Sequence, residues 1–119
     1  MSIMADPCVG SKCPSHGSTI DMVKWVDFLG ITNLYIRVKD CGECKRVYTS
    51  GDGCINFDMC GKKQEICIDR HSNRMRMHRV NKNTGKKSCY KIKQYKSEHK
   101  CGANKASVWA KTDDITCTW

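Results

Sequence analysis

The stretch from Cys41 to Cys101 decides the fold, and its cysteine-bearing parts read CGECKRVYTSGDGC (41–54), INFDMCGKKQEICIDRH (55–71) and CYKIKQYKSEHKC (89–101). It holds seven of the ten cysteines and three of the four histidines. Leu, Ile, Val and Phe make up only 20 of the 119 residues and the net charge is +9, a composition that by itself predicts disorder. We therefore expect crosslinks through cysteine to hold the chain together.

The charge is divided unevenly along the chain. Residues 1–59 carry 6 Lys and Arg against 7 Asp and Glu, whereas residues 60–119 carry 15 against 5. The first half is thus nearly neutral and the second half is strongly basic, which is a marked charge asymmetry. No apolar run reaches membrane-spanning length, and no signal-peptide pattern is visible, so the N-terminus does not indicate the compartment.

The segment STIDMVKWVDFLG (18–30) predicts one short N-terminal helix. Ser18 is the expected N-cap, Asp21 completes a capping-box arrangement, and Gly30 is the expected stop. Helical spacing places four apolar residues on one face, where they would pack on the core. These residues are Met22, Val23, Val26 and Leu29.

Beyond the helix the pattern changes to alternation with a period of two, which predicts short antiparallel strands. Glycine-containing segments between these strands predict turns. The predicted fold is therefore small, mainly-β and cysteine-rich, with one helix. The predicted strands cover residues 34–38, 46–49, 55–59, 74–80, 90–95, 107–111 and 115–119.

A weak internal repeat predicts two related modules. Each half contains the order Cys, Cys, His, Cys and then Cys or His, although a chance alignment is the alternative. The first module would cover 8–57 and include the helix, and the second, strongly basic module would cover 58–119. The repeat aligns Cys8, Cys13, His16, Cys44 and Cys54 with Cys60, Cys67, His71, Cys89 and His99.

The cysteines fit either a disulfide framework or zinc. An even number of cysteines in a small basic chain favours the disulfides of a secreted protein. Three features favour zinc: histidines adjoin cysteines in CPSH, CIDRH and HKC, Cys41-x2-Cys44 has zinc-knuckle spacing, and the repeat aligns Cys54 with His99. Zinc accepts thiolate and imidazole in one tetrahedron. We predict a zinc-stapled fold with several ions per chain, and one or two disulfides can accompany them.

The predicted zinc ligands are the cysteines and histidines of the two repeats together with the remaining cysteines of the central stretch. His78 alternates with arginines and is predicted to lie on a solvated strand face. No carboxylate pair, phosphate loop or nucleophile motif stands out, so we do not expect an enzyme. The ligands are Cys8, Cys13, His16, Cys41, Cys44, Cys54, Cys60, Cys67, His71, Cys89, His99 and Cys101.

A cationic face is predicted in the basic half. Arg74, Arg76, Lys91 and Lys93 occupy alternating positions of two predicted strands and would share one side of the sheet if those strands pair. Such a face can bind nucleic acid weakly and without sequence preference. The alternative is that these cations serve solubility.

The paired Cys/Cys/His blocks, the CGEC turn (41–44) and the tyrosine-bearing strands that lead to Cys54 and to His99–Cys101 resemble the small zinc-binding secreted effectors, or avirulence proteins, of rust fungi. The resemblance implies secretion, action inside the host cell, zinc-held β modules and no catalytic centre. We also predict a monomer that meets a host protein, with a plant immune receptor as one candidate, and no membrane partner.

Two other functions stay open. The chain also resembles the basic, cysteine-rich, zinc-binding silencing suppressors of plant RNA viruses, which bind nucleic acid. A disulfide-stapled secreted toxin that acts at a membrane or wall is the third hypothesis, and it requires disulfides in place of zinc.

Overall fold

In the computed structural model, residues 19–71 and 75–118 are described, and they form one antiparallel sheet of eight strands. The order across the sheet is β3-β2-β1-β8-β7-β6-β5-β4. Two meanders, β1 to β3 and β4 to β8, are joined by the pairing of β8 with β1. The strands are β1 Ile20–Val26, β2 Thr32–Asp40, β3 Glu43–Thr49, β4 Gly53–Met59, β5 Lys62–Asp69, β6 Arg76–Asn81, β7 Lys87–Cys101 and β8 Asn104–Ile115.

The two edge strands, β3 and β4, meet through side chains rather than through a backbone ladder. The Lys45 ammonium group donates a hydrogen bond to the Asp58 carbonyl, and the Glu43 carboxylate accepts one from the Cys60 amide at 2.8 Å. A disulfide joins Cys41 to Cys60 across the same gap. The sheet is therefore rolled into a barrel with one seam, between β3 and β4.

The main core fills the interior of this barrel. Because side chains alternate along a strand, every second residue of each strand points inward. One cluster of buried apolar side chains takes members from all seven strands β1 to β7, so the two meanders share a single core. Its members are Ile20, Met22, Ile36, Val38, Val47, Phe57, Met59, Ile66, Ile68, Met77 and Ile92.

The outer face of β1, β2 and β8 is buried as well. Val23, Tyr35 and Val108 pack there in a second cluster. Beside it, the fully buried Arg37 guanidinium donates to both carboxylate oxygens of Asp21, at 2.9 and 2.6 Å. These two residues lie directly opposite each other on β1 and β2. Strand β1 is thus buried on both faces and carries a desolvated ion pair.

The predicted N-terminal helix is wrong, because residues 20–26 form β1. Strand β1 is buried on both faces over residues 20–23, so its sequence, IDMVKWV, lacks the period-two alternation of a half-buried strand, and its apolar residues also fit helical spacing. Gly30 does not end a helix but adopts a φ of 85° in the loop between β1 and β2. The predicted cap, Ser18, lies outside the described residues.

The mainly-β class is confirmed. Strands were predicted within β2, β3, β4, β7 and β8, and the strand predicted over 74–80 overlaps β6. Strand β5 was missed, and the predicted strand over 115–119 was wrong over its described residues, since β8 ends at Ile115. The proposed boundary between residues 57 and 58 falls inside β4, and both ranges contribute strands to the same sheet. The internal repeat itself stays a prediction.

Disulfides provide the crosslinks that the composition requires. Among residues 19–71 and 75–118 no cysteine is free, and Cys44 and Cys101 are disulfide-bonded in addition to three pairs. Each bond restricts the unfolded chain and so offsets part of the conformational entropy that a small core cannot offset alone. The three pairs are Cys41–Cys60, Cys54–Cys67 and Cys89–Cys117.

Dithiothreitol should unfold the protein and EDTA should not, as followed by near-UV circular dichroism. The paired change Cys41→Ser and Cys60→Ser removes a bond of sequence separation 19, worth about 3 kcal/mol by loop entropy. The midpoint of thermal unfolding should fall by roughly 10 °C. Unfolding by EDTA alone would contradict a disulfide-held fold.

The buried pair of Asp21 and Arg37 should behave as a unit. Arg37→Met leaves a desolvated carboxylate and should lower the free energy of unfolding by about 3 kcal/mol or more. The double change Asp21→Leu and Arg37→Met should cost clearly less than the sum of the two single changes, because no charge is left unpaired. Urea unfolding measures all three variants, and strict additivity would show that the pair is not coupled.

Candidate functional site: an apolar loop flanked by lysines

The zinc prediction is wrong, because the cysteines are joined to one another. Two groups still bring three potential ligand atoms within 4.8 Å of one another, and each consists of two cysteines and one acidic residue, Asp40 or Glu65. In both groups the two sulfurs belong to the same disulfide. A disulfide offers no thiolate to a metal ion, so the cofactor prediction is corrected to disulfide stabilisation.

The remaining predicted ligands do not come together within the described residues. His71 and His99 are exposed, in the segment between β5 and β6 and in β7 respectively. Cys44 and Cys89 are disulfide-bonded, as is Cys101. The predicted ligands Cys8, Cys13 and His16 lie outside the described residues.

His78 is buried, so its predicted solvated position is wrong. It lies on the outer face of β6, opposite Cys67 of β5 and Cys89 of β7, and is only 6% exposed. Each of these cysteines belongs to a disulfide, so the imidazole is enclosed by crosslinked neighbours. Burial and the nearby positive charge of Lys87 lower the pKa of His78 below its ordinary value of 6.5.

The predicted cationic face is interleaved with acids. Arg76 and Lys91 do lie opposite each other on β6 and β7, but Arg76 is 3.8 Å from Asp69 and Lys91 is opposite Asp113. Such neighbours weaken the local positive field. Lys93 lies with its ammonium group 5.9 Å from the ring centroid of Tyr95, and Arg74 lies outside the described residues. Nucleic-acid binding stays a prediction.

Three of the most exposed large apolar side chains of the described residues lie close together in the loop between β1 and β2. Phe28 is 72% exposed, Leu29 71% and Ile31 56%. We call residues 27–31 the apolar loop. Isolated apolar side chains on a surface are ordinary, but three large ones on one short loop indicate an interaction site.

Hydrogen bonds to Asp27 fix the shape of this loop. One carboxylate oxygen of Asp27 accepts hydrogen bonds from the amides of Leu29 and Ile31, both at 2.9 Å. The Asp27 backbone accepts from Gly30 and donates to the Ile31 carbonyl, again at 2.9 Å. An aspartate that caps its own turn in this way is a standard loop-forming device. The loop is therefore structured before it meets a partner.

A second hairpin supports the apolar loop from the side. The Phe28 amide donates to the side-chain oxygen of Asn104, at the start of β8, over 3.2 Å. Asn104 in turn donates to the carbonyl of Cys101, a disulfide-bonded residue at the end of β7. The apolar loop is thus anchored to the longest hairpin of the sheet.

Three exposed lysines flank the apolar loop, and we call Lys24, Lys100 and Lys105 the lysine flank. Lys105 lies opposite Val26, the last residue of β1, and Lys100 lies opposite Lys105. Lys24 is two residues before Val26, so alternation places its side chain on the same face. All three are exposed. The same region carries two acids, Asp27 in the loop itself and Glu98 in β7, whereas Asp113 and Asp114 lie at the far end of β8. Three lysines against two acids leave the neighbourhood with an excess of positive charge.

Sequence reasoning missed the apolar loop because VDFLG was taken as the last turn of a helix, which placed Leu29 on the core face. The sequence did contain one signal for a loop. Asp27 and Gly30 have the spacing of a turn in which the aspartate side chain accepts hydrogen bonds from the following amides. Three large apolar residues between and beside them would then have to face solvent.

Comparison of the chain with models of protein families, with curated proteins and with solved structures found no match. The resemblance to rust-fungus effectors therefore stays a prediction, apart from its zinc component, which is wrong. No helix in the part of the chain that the structure describes could span a membrane.

The buried imidazole of His78 should make stability depend on pH. Because the pKa of His78 is lowered on folding, the unfolded chain takes up this proton first as the pH falls below about 6.5. Stability is therefore lost on acidification and is unaffected by His78 at higher pH. His78→Gln should reduce the drop in melting temperature between pH 7.5 and pH 5, and His99→Gln, at an exposed position, should not. An equal drop in melting temperature for the parent and for His78→Gln would show that His78 does not cause the pH dependence.

Proposed function

We propose that this chain is a secreted, disulfide-stapled protein that acts at membrane surfaces, where the apolar loop inserts into the headgroup region of a bilayer containing anionic lipid. The observation that carries the proposal is the exposure of Phe28, Leu29 and Ile31 on a loop that hydrogen bonds hold in shape. The lysine flank supplies charge complementary to anionic headgroups.

The free energy of binding expected for this loop supports reversible attachment to a membrane rather than permanent insertion. Removing the exposed parts of the three apolar side chains from water contributes roughly 4 kcal/mol. Each lysine near an anionic surface adds about 1 kcal/mol. Because the loop is already ordered, little entropy is lost on binding. The sum, roughly 7 kcal/mol, corresponds to an apparent dissociation constant on the order of 10 μM.

A membrane accounts for the apolar loop better than a protein partner does. Protein interfaces need a buried patch of many residues on each side, whereas the apolar loop offers three large side chains flanked by three lysines. A small apolar tip with a cationic border matches the structure of a lipid interface, which is apolar inside and negatively charged outside.

Disulfides are compatible with a secreted or extracellular protein, because they persist in oxidising compartments. This supports the third hypothesis from the sequence, a disulfide-stapled secreted protein acting at a membrane. The proposal departs from two expectations of the sequence analysis, namely action inside the host cell and the absence of a membrane partner.

Sedimentation with lipid vesicles tests the proposal. The protein should bind vesicles of phosphatidylcholine and phosphatidylserine, and binding should weaken in pure phosphatidylcholine and at high salt. Phe28→Ser combined with Leu29→Ser should weaken binding at least tenfold, because about half of the driving force is apolar. Its melting temperature should be close to that of the parent, since both side chains are exposed.

Ile115→Ser is the matched control. Ile115 is also an exposed aliphatic residue, but it lies at the opposite end of the barrel, so vesicle binding should be unchanged. Equal binding by the parent and the loop variant would exclude the apolar loop as the membrane contact. Failure of the parent to bind anionic vesicles would exclude the function.

A further inference from the structure

The end of the barrel opposite the apolar loop contains a cavity of about 270 Å³. It opens between the turns that follow β2, β4 and β6. Its walls include Gln64, Arg79, Asn81, Ser88 and Tyr90. Small β-barrels commonly bind ligands at the mouth of their interior, so this cavity is a candidate ligand site independent of the apolar loop.

Strand register shows that these walls belong to the barrel interior. Arg79 lies opposite Ile66 of the main core on one side and opposite Ser88 on the other. Gln64 lies opposite Asn81, two positions further along the same strands. The interior is therefore apolar in its middle and changes to polar side chains toward this mouth.

Arg79 is held in a fixed position on the cavity wall. Its guanidinium donates to the side-chain oxygen of Gln64 and lies 3.0 Å from the Asp40 carboxylate, and its side chain is only 18% exposed. The Gln64 amide nitrogen donates to the carbonyl of Met59 at 2.8 Å. Polar groups buried in a barrel interior cost stability relative to apolar ones. Their fixed arrangement indicates a binding role.

The charge of the cavity favours an anion. Lys62, Arg79 and Lys86 line it against a single acid, Asp40, which leaves an excess of two positive charges. The walls also include two neutral hydrogen-bonding side chains, those of Asn81 and Ser88, which suit the hydroxyl groups of a ligand. A cavity of this volume holds one sugar-sized molecule and not a polymer segment.

We propose that this cavity binds a sugar-sized hydroxylated anion, with the acid group near Arg79, Lys62 and Lys86 and the hydroxyl groups near Asn81 and Ser88. A carboxylate, as in a uronic acid, and a phosphate ester share this chemistry. Arginine and lysine bind both groups through charge-assisted hydrogen bonds.

Titrations monitored by amide NMR spectra test the proposal and distinguish a sugar carboxylate from a sugar phosphate. Glucuronate, glucose 6-phosphate, glucose and inorganic phosphate are each added to the disulfide-bonded protein. At least one of the two sugar anions should cause saturable shifts at the amides of Gln64, Asn81 and Ser88. Glucose and inorganic phosphate should each bind at least tenfold more weakly than that anion.

Lys86→Glu and Lys82→Glu form a matched pair of variants. Both lysines are exposed in the turn between β6 and β7 and both changes alter the net charge equally, but only Lys86 lines this cavity. Lys86→Glu should weaken binding of the sugar anion at least tenfold, and Lys82→Glu should weaken it less than threefold. Equal losses in the two variants, equal binding of glucose or of inorganic phosphate, or no saturable binding of either sugar anion would overturn the proposal.

Discussion

Closure of the seam between β3 and β4 is the constraint on which the rest of the structure depends. An antiparallel sheet of eight strands with so few large aliphatic residues can bury its inner face only by rolling onto itself. The pairing of β8 with β1 closes one side through backbone hydrogen bonds. The other side is closed by the Cys41–Cys60 disulfide and by side-chain bonds from Glu43 and Lys45. The single interior core exists because both sides are closed.

Covalent closure also explains how polar residues can occupy the barrel interior. A barrel held only by its core would need apolar side chains along its full length, since each buried polar group costs stability. Here the disulfide lies at the polar mouth, next to Asp40 and Arg79. The crosslink maintains the sheet where hydrophobic packing ends, so the residues at this mouth are available for recognition.

Most of the sheet could be predicted from the sequence, because strands such as β2 and β6 show clean alternation between turn-forming residues. Two strands, β1 and β5, could not be predicted from the sequence. Strand β1 is buried on both faces, so its pattern is not alternating, and β5 contains Gln64 and Cys67, which resemble a polar ligand segment more than a strand. In both cases burial by neighbouring strands, which a single sequence does not show, decides the conformation.

The candidate sites were harder to predict than the fold. Histidines beside cysteines suggested zinc, yet the chemistry of a cysteine depends on which other cysteine the fold brings near it, and spacing does not reveal that pairing. His78 illustrates the point, since it is remote in sequence from Cys67 and Cys89 but packs between them. The apolar loop was hidden for a related reason, because a helical pattern assigned Leu29 to the core.

The up-and-down order of the strands has a geometric consequence. Because odd-numbered and even-numbered turns lie at opposite ends of such a sheet, the apolar loop after β1 and the barrel mouth beside the turns after β2, β4 and β6 face in opposite directions. A molecule seated on a bilayer by its loop would hold its mouth toward the surrounding fluid. Under the two proposals made above, such a molecule would work as a tether, with its lipid contact and its solute-binding cavity separated by the length of the strands.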